Sequence, residues 1–176
     1  GDSHAVRPCR AHFHGPVRLL DDQIARIADL LDEQGLWEDT VVIFTTDHGD
    51  MLGDHELTTK GVKPYDAGIR CPLIVAGAGV QSGESPRLTS TLDFFPTFCD
   101  WAGIPASVRP PLEGRSFAPD CAGSDDDTGH EAVQVAFGPM ETVVTADGWR
   151  LTVYDHEDAP NEMINLREDP DEQRNL

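Results

Sequence analysis

The run Val41-Val42-Ile43-Phe44 limits the possible folds more than any other stretch of the chain. It is short, unbroken and rich in β-branched residues, and it ends abruptly in Thr45-Thr46-Asp47-His48-Gly49-Asp50. Such a run suits a strand buried on both faces, as in a parallel sheet with helices on either side. A buried helix segment has the same hydropathy, but this run is too short for one and meets Gly49 almost at once. In open α/β sheets, ligands bind just beyond the carboxyl ends of the strands. Asp47 and His48 therefore leave the sheet where chemistry is normally done. An adjacent carboxylate and imidazole can both ligate a divalent cation, and Gly49 lets the backbone turn away tightly.

The pattern continues in order. After Asp50 come Met51-Leu52-Gly53-Asp54-His55, then Lys60-Gly61, Tyr65-Asp66 and Arg70-Cys71-Pro72-Leu73-Ile74-Val75. From Asp47 onward this set resembles the second signature of the sulfatase family, within the alkaline-phosphatase superfamily. The resemblance implies an α/β fold: part of an alkaline-phosphatase-like sheet flanked by helices, then a small antiparallel β C-terminal subdomain. Residues 1–122 would be the C-terminal portion of the α/β domain and residues 130–176 the subdomain with its tail.

The same resemblance assigns roles. Asp47 and His48 would be metal ligands. Lys60 would point at the sulfate, where a fixed ammonium offsets charge on the ester oxygens as the S–O bond breaks. His55 is a weaker catalytic candidate, through substrate contact, with packing of the loop as its other reading. Lys63 reads as a surface cation, and Arg70 as a tie between loop and core. Asp50, Asp54 and Glu56 read as turn and surface residues, since the ligand alternation of an EF-hand loop is absent. Calcium is the family's usual metal, and an imidazole ligand leaves manganese or magnesium open.

The family's nucleophile is a formylglycine made from the cysteine of a Cys-x-Pro/Ala-x-Arg signature. None of Cys9, Cys71, Cys99 and Cys121 lies in that signature. The family's N-terminal pair of metal-binding acids also has no counterpart. The chain thus reads as a C-terminal fragment of a sulfatase, with sulfate-ester small molecules or glycans as substrates, and inactive alone. The alternatives are a phosphonate-monoester or phosphodiester hydrolase of the same superfamily, or a non-catalytic truncated paralogue acting as a binding module.

Charge narrows the partners. With 13 Lys+Arg against 32 Asp+Glu the net charge is −19, which excludes nucleic-acid binding through a general basic surface. Lys60 and Lys63 are the only lysines, and acid-rich, lysine-poor surfaces suit high-salt cytoplasm. A halophilic source is the resulting hypothesis, and full stability in dilute buffer would count against it. The widely spaced cysteines argue for buried or free thiols over a zinc site or disulfide framework. No signal peptide and no apolar run of membrane-spanning length is visible, which slightly favours a cytoplasmic location. Oligomeric state is left open.

In chain order, Gly1–His14 reads as a solvated lead-in, with a metal site from His4, His12 and His14 as the other possibility. Val17, Leu20, Ile24, Ile27 and Leu31 recur at helical spacing, and Gly35 stops the helix. Leu73–Ala76 is a second buried strand. Leu88–Thr91 reads as a short strand and Asp93 as a helix N-cap. Phe94, Phe98 and Trp101 form a core stripe on that helix, which Gly103 and Pro105 end. Residues 105–111 and 123–129 mark linkers. Val133, Val135 and Phe137 alternate as a half-buried strand. Thr142–Ala146, Asp147-Gly148 and Trp149–Tyr154 form a hairpin around a two-residue turn. Met163–Leu166 begins the closing tail.

Overall fold

The computed structural model describes residues 6–60, 63–124, 129–137, 140–155 and 160–176. His4, Gly61 and most of the acidic stretch 123–129 lie outside them. The chain groups into two compact units, residues 1–79 and 80–176.

The first unit begins with a 29-residue helix, α1 (Val6–Gln34). The expected lead-in is therefore largely helical. Gly15 and Pro16 sit inside it, the proline forfeiting one backbone bond. These features hide the helix from a reading of local signals. Tertiary contact holds it instead: Arg10 Nε donates to the Leu52 carbonyl at 2.9 Å, and its Nη2 reaches Asp54 Oδ1 at 3.3 Å. Past Gly35 the chain enters β1 (Val41–Thr45), where the apolar run predicted a strand.

Strand β1 pairs with β2 (Leu73–Gly77), Val41 opposite Gly77 and Thr45 opposite Leu73. The pairing is antiparallel, not the parallel arrangement expected for β1. The intervening loop and the short α2 (Asp66–Ile69) reverse the chain before it returns as β2. Phe44 is 38% exposed and Ile74 59%, so neither strand is buried on both faces. Arg70, expected to tie loop to core, instead leaves its side chain 81% exposed and pairs with Asp66 one helical turn back.

In the second unit, residues 88–90 form no strand. Ser90 caps a 3-10 turn, Thr91–Asp93, that runs straight into α3 (Phe94–Trp101). Asp93 closes a capping box with Ser90 and makes no side-chain cap of its own on α3. Its carboxylate is 1% exposed and serves as a hub. It accepts the Ser90 and Arg115 amides at 2.7 Å each and lies 2.8 Å from His130 Nε2. Thr97 is fully buried, donating to the Asp93 carbonyl and accepting from the Phe117 amide. Those bonds turn Pro96, Thr97 and Cys99 inward and leave Phe98 49% exposed, so only part of the expected aromatic stripe is core. Phe94 and Trp101 meet Phe117 edge-on.

After the one-turn α4 (Ala118–Cys121), four strands form an antiparallel sheet in sequence order. They are β3 (Ala132–Phe137), β4 (Met140–Thr145), β5 (Trp149–Tyr154) and β6 (Glu162–Asn165). The β4–β5 turn takes in Ala146 as well as Asp147-Gly148; Gly148, at φ +92°, supplies the left-handed step of a three-residue loop.

The buried face of the sheet is mixed, Met140 and Ile164 sharing it with polar residues. Arg150, Thr142 and Thr152 are fully buried, whereas Val143, Leu151, Val153 and Met163 are 38–45% exposed. The buried polar groups answer one another. Arg150 Nη1 meets Glu172 Oε1 at 2.5 Å, its Nη2 lies 3.8 Å from Glu162 Oε2, and the two threonine hydroxyls are 3.0 Å apart. The tail then runs along β6. Asn175 Oδ1 accepts the Met163 amide, Asn175 Nδ2 donates to the Asn161 carbonyl, and the Leu176 amide donates to the Met163 carbonyl. No disulfide joins the cysteines. Among the described residues no helix is long and apolar enough to cross a membrane.

Candidate metal and sulfate site

Strand β1 delivers Thr46, Asp47 and His48 to the surface at its carboxyl end. The Asp47 side chain is 83% exposed, yet it is oriented locally: Oδ1 accepts from the His48 amide at 3.0 Å and the Thr46 hydroxyl at 3.3 Å. Asp47 Oδ2 lies 3.6 Å from His48 Nε2. The charge of His48, when protonated, is the largest influence on Asp47. Desolvation opposes it, smaller hydrogen bonds from its own backbone, Thr46 and His48 add to it, and the carboxyl is held below the usual carboxylate range.

His48 Nδ1 stands 2.8 Å from the Gly49 carbonyl oxygen. A carbonyl only accepts, so Nδ1 carries the proton, and the neutral ring presents the Nε2 lone pair outward. Lys60 Nζ lies 2.7 Å from that Nε2 and donates to it. Asp47, His48 and Lys60, read from the sequence as one site, are thus brought together.

The backbone behind His48 is held tightly. The Gly49 amide donates to the Gly68 carbonyl at 2.9 Å. Met51, 1% exposed, is buried beneath the loop. Beyond it Leu52, His55 and Glu56 all adopt positive φ, at 46°, 51° and 61°. Three such residues so close together store strain that the surroundings must offset. Arg10 on Leu52 and Asp54 does so from one side. On the other, His55 lies flat on Tyr65, with ring centroids 3.7 Å apart and planes within 3°. Lys63 Nζ stands 5.8 Å from the Tyr65 ring centroid. His55 is thereby engaged in loop packing through Tyr65.

Sequence reasoning missed Arg10, which lies in a segment read as a solvated lead-in. It also missed the Gly49–Gly68 bond, which joins positions with no periodic relation. Cys71 borders the site: burial first, and the Asp47 charge second, push its thiol up.

The donor set fits a divalent cation as part of a site. A carboxylate oxygen and an imidazole nitrogen 3.6 Å apart can share one ion at bond lengths of about 2.0–2.6 Å. Among the described residues no group of three or more His, Cys, Asp or Glu side chains converges, so these two donors are what the described residues offer.

The chain is similar to several known proteins. The sulfatase family model matches residues 10–104. The chain is 33% identical over 177 residues to the choline-sulfatase of Rhizobium meliloti, covering 94% of this chain and 34% of that protein. It is 36% identical over 123 residues to the multifunctional alkaline phosphatase superfamily protein PehA of Trinickia caryophylli, covering 67% of this chain and 23% of that one. The structure of BT4656 in complex with its substrate D-glucosamine-2-N,6-O-disulfate superposes with a TM-score of 0.74 at 25% identity, covering 90% of this chain and 34% of that one. The chain spans about a third of the choline-sulfatase it matches. With the family model covering more than half of its residues, this chain belongs to the sulfatase family of the alkaline-phosphatase superfamily.

Proposed function

We propose that this chain is the C-terminal part of a sulfatase that hydrolyses sulfate esters with a divalent metal and a formylglycine nucleophile lying outside these residues. The observation that carries this reading is the convergence of Asp47 Oδ2, His48 Nε2 and Lys60 Nζ at the end of β1. Asp47 and His48 would hold the metal. Calcium is the first choice, with manganese or magnesium open because one donor is an imidazole. Bound there, the cation would supply charge stabilisation and orientation for the sulfate, and formylglycine the attacking oxygen.

The chain's own residues do the rest. Asp47 and His48 present two donors from one strand end, so their spacing is set before any ligand arrives. The Gly49–Gly68 bond and the Arg10 contacts keep that end from drifting. Lys60 offers the ammonium that meets the ester oxygens as charge develops on them. His55, stacked on Tyr65, is a secondary candidate for substrate contact. Residues 1–122 would complete the α/β domain, and residues 130–176 would form its small subdomain. A small sulfate ester or a sulfated glycan is the substrate class, and the −19 charge argues against nucleic acid.

A second reading, hydrolysis of phosphonate monoesters or phosphodiesters, is favoured by the similarity to PehA. The test is a panel of sulfate, phosphodiester and phosphonate esters offered to the protein made from the complete reading frame. Sulfate turnover that Asp47→Asn, His48→Gln and Lys60→Ala each abolish supports the first reading. Turnover of phosphorus esters alone moves the assignment to the second, and no turnover at all overturns both. The 176 residues by themselves, lacking the Cys-x-Pro/Ala-x-Arg signature, are expected to turn over nothing.

A further inference from the structure

The contact between Lys60 and His48 has a property that neither residue has alone. The Nδ1 proton of His48 is committed to the Gly49 carbonyl, so the ring has one lone pair, on Nε2. Lys60 Nζ occupies the space in front of that lone pair, 2.7 Å away. A divalent cation coordinated by Nε2 would sit about 2.0–2.6 Å from it, inside the volume the ammonium now fills. Asp47 Oδ2, the second donor, is 3.6 Å from Nε2, and its carboxylate faces the same region. Turning the imidazole over does not resolve the conflict, because it would give up the bond to Gly49.

We propose that Lys60 and a divalent cation compete for the same lone pair, Nε2 of His48, so that metal binding drives the ammonium off His48 and frees it for an anionic substrate. The inference rests on the metal-site reading above and deepens it. Before metal arrives, the ammonium acts as an internal cation that keeps the carboxylate and imidazole in register. When metal arrives, two positive centres cannot share one lone pair, and the lysine leaves. Lys60 is exposed and carries its charge on a flexible four-carbon stem, so it can swing aside without disturbing the backbone. The result is an order of events: the cation first, then the anion that the released lysine meets.

The test uses the 176-residue chain and Mn2+ alone, with binding read by the loss of free Mn2+ signal in electron paramagnetic resonance. Lys60→Met is expected to bind Mn2+ roughly tenfold more tightly than the parent, within the ordinary range for coupling between two ligands. Lys63→Met removes the same charge from the same loop and is expected to change affinity by less than about twofold, as befits a general field effect alone. Equal gains in the two variants, or no gain in Lys60→Met, would overturn the competition. Asp47→Asn and His48→Gln check the foundation. If they bind Mn2+ as the parent does, the metal-site reading falls and this inference with it. If they lose binding while Lys60→Met gains nothing, only the competition falls.

A second measurement does not depend on any variant. With two lysines in the chain, the Nζ resonance of Lys60 is readily assigned. In a Ca2+ titration it should move with the same midpoint as His48 Nε2. A shift at His48 with none at Lys60 would refute the exchange.

Discussion

Gly49 passes so close to Ala67 that a Cβ built on it would stand 1.9 Å from the Ala67 carbonyl oxygen. The obstacle is backbone, which cannot rotate away, and it lies one residue after His48. Gly49→Ala is therefore expected to cost about 1–3 kcal/mol, the usual penalty for overpacking a closed site. Urea denaturation measures it. Gly83→Ala, where nothing lies within 4 Å, serves as the comparison and should leave stability within about half a kcal/mol. Equal effects of the two substitutions would mean that the contact does not fix the loop.

Arg150→Met is expected to destabilise the second unit by about 3–5 kcal/mol, because Glu162 and Glu172 would be left buried without their counter-charge. Adding Glu162→Gln and Glu172→Gln to that variant should restore much of the loss. A triple variant as unstable as the single one would show that packing, not charge, is what Arg150 contributes. Chemical unfolding of the three proteins decides it.

How much of this was legible beforehand follows from the range of each signal. Asp47, His48 and Lys60 were read together because the stretch from Asp47 to Arg70 resembles the sulfatase signature, and the structure brings His48 and Lys60 within hydrogen-bond distance. The four-strand sheet was readable as strands, but not as to which face is buried. Alternation normally puts apolar residues inside. Here Arg150 is buried because residues 162 and 172 answer it, and a local window cannot see partners so far away. Asp93 was misread for a related reason. Its position suggested a cap for the helix that follows, whereas its carboxylate is claimed by Ser90 behind it and by Arg115 and His130 further on. The helical run from Val6 onward is tied down by Arg10 reaching Leu52, a contact 42 positions apart.

Asp100 gives a pH signature. A hydrogen bond from Ser116 leads, desolvation opposes it, and the Arg109 guanidinium at 2.6 Å adds to the first, so the carboxyl is held below its ordinary value. A depressed carboxyl stabilises the fold above the unfolded-state pKa, and the contribution disappears as pH falls through the folded one. With the Asp100 side chain 36% exposed, the effect should stay under about 1 kcal/mol. Asp100→Asn should thus lower the unfolding midpoint slightly at pH 7 and leave it unchanged near pH 2. A constant difference at both pH values would contradict this.

The cysteines offer a chemical readout. Burial, and after it the Asp120 charge, push the Cys121 thiol up; burial and then Asp47 do the same for Cys71. Both should stay protonated above the range where free thiols ionise, so iodoacetamide should label them slowly at pH 8. Mass spectrometry of each peptide against a small free thiol measures the rates. Labelling as fast as the free thiol would show that neither site suppresses ionisation.

The strip of chain from Glu172 to Leu176 has a consequence for genetics. Its last residues lie along the open side of β6, and Glu172 neutralises a charge in the interior of the sheet. A nonsense mutation just upstream of Glu172 would strand Arg150 without its nearest carboxylate. It would also bare a row of backbone donors and acceptors ready to recruit another strand. Such an allele should behave as a loss-of-function lesion, its product collecting in inclusion bodies, while missense changes at the exposed Arg174 pass unnoticed.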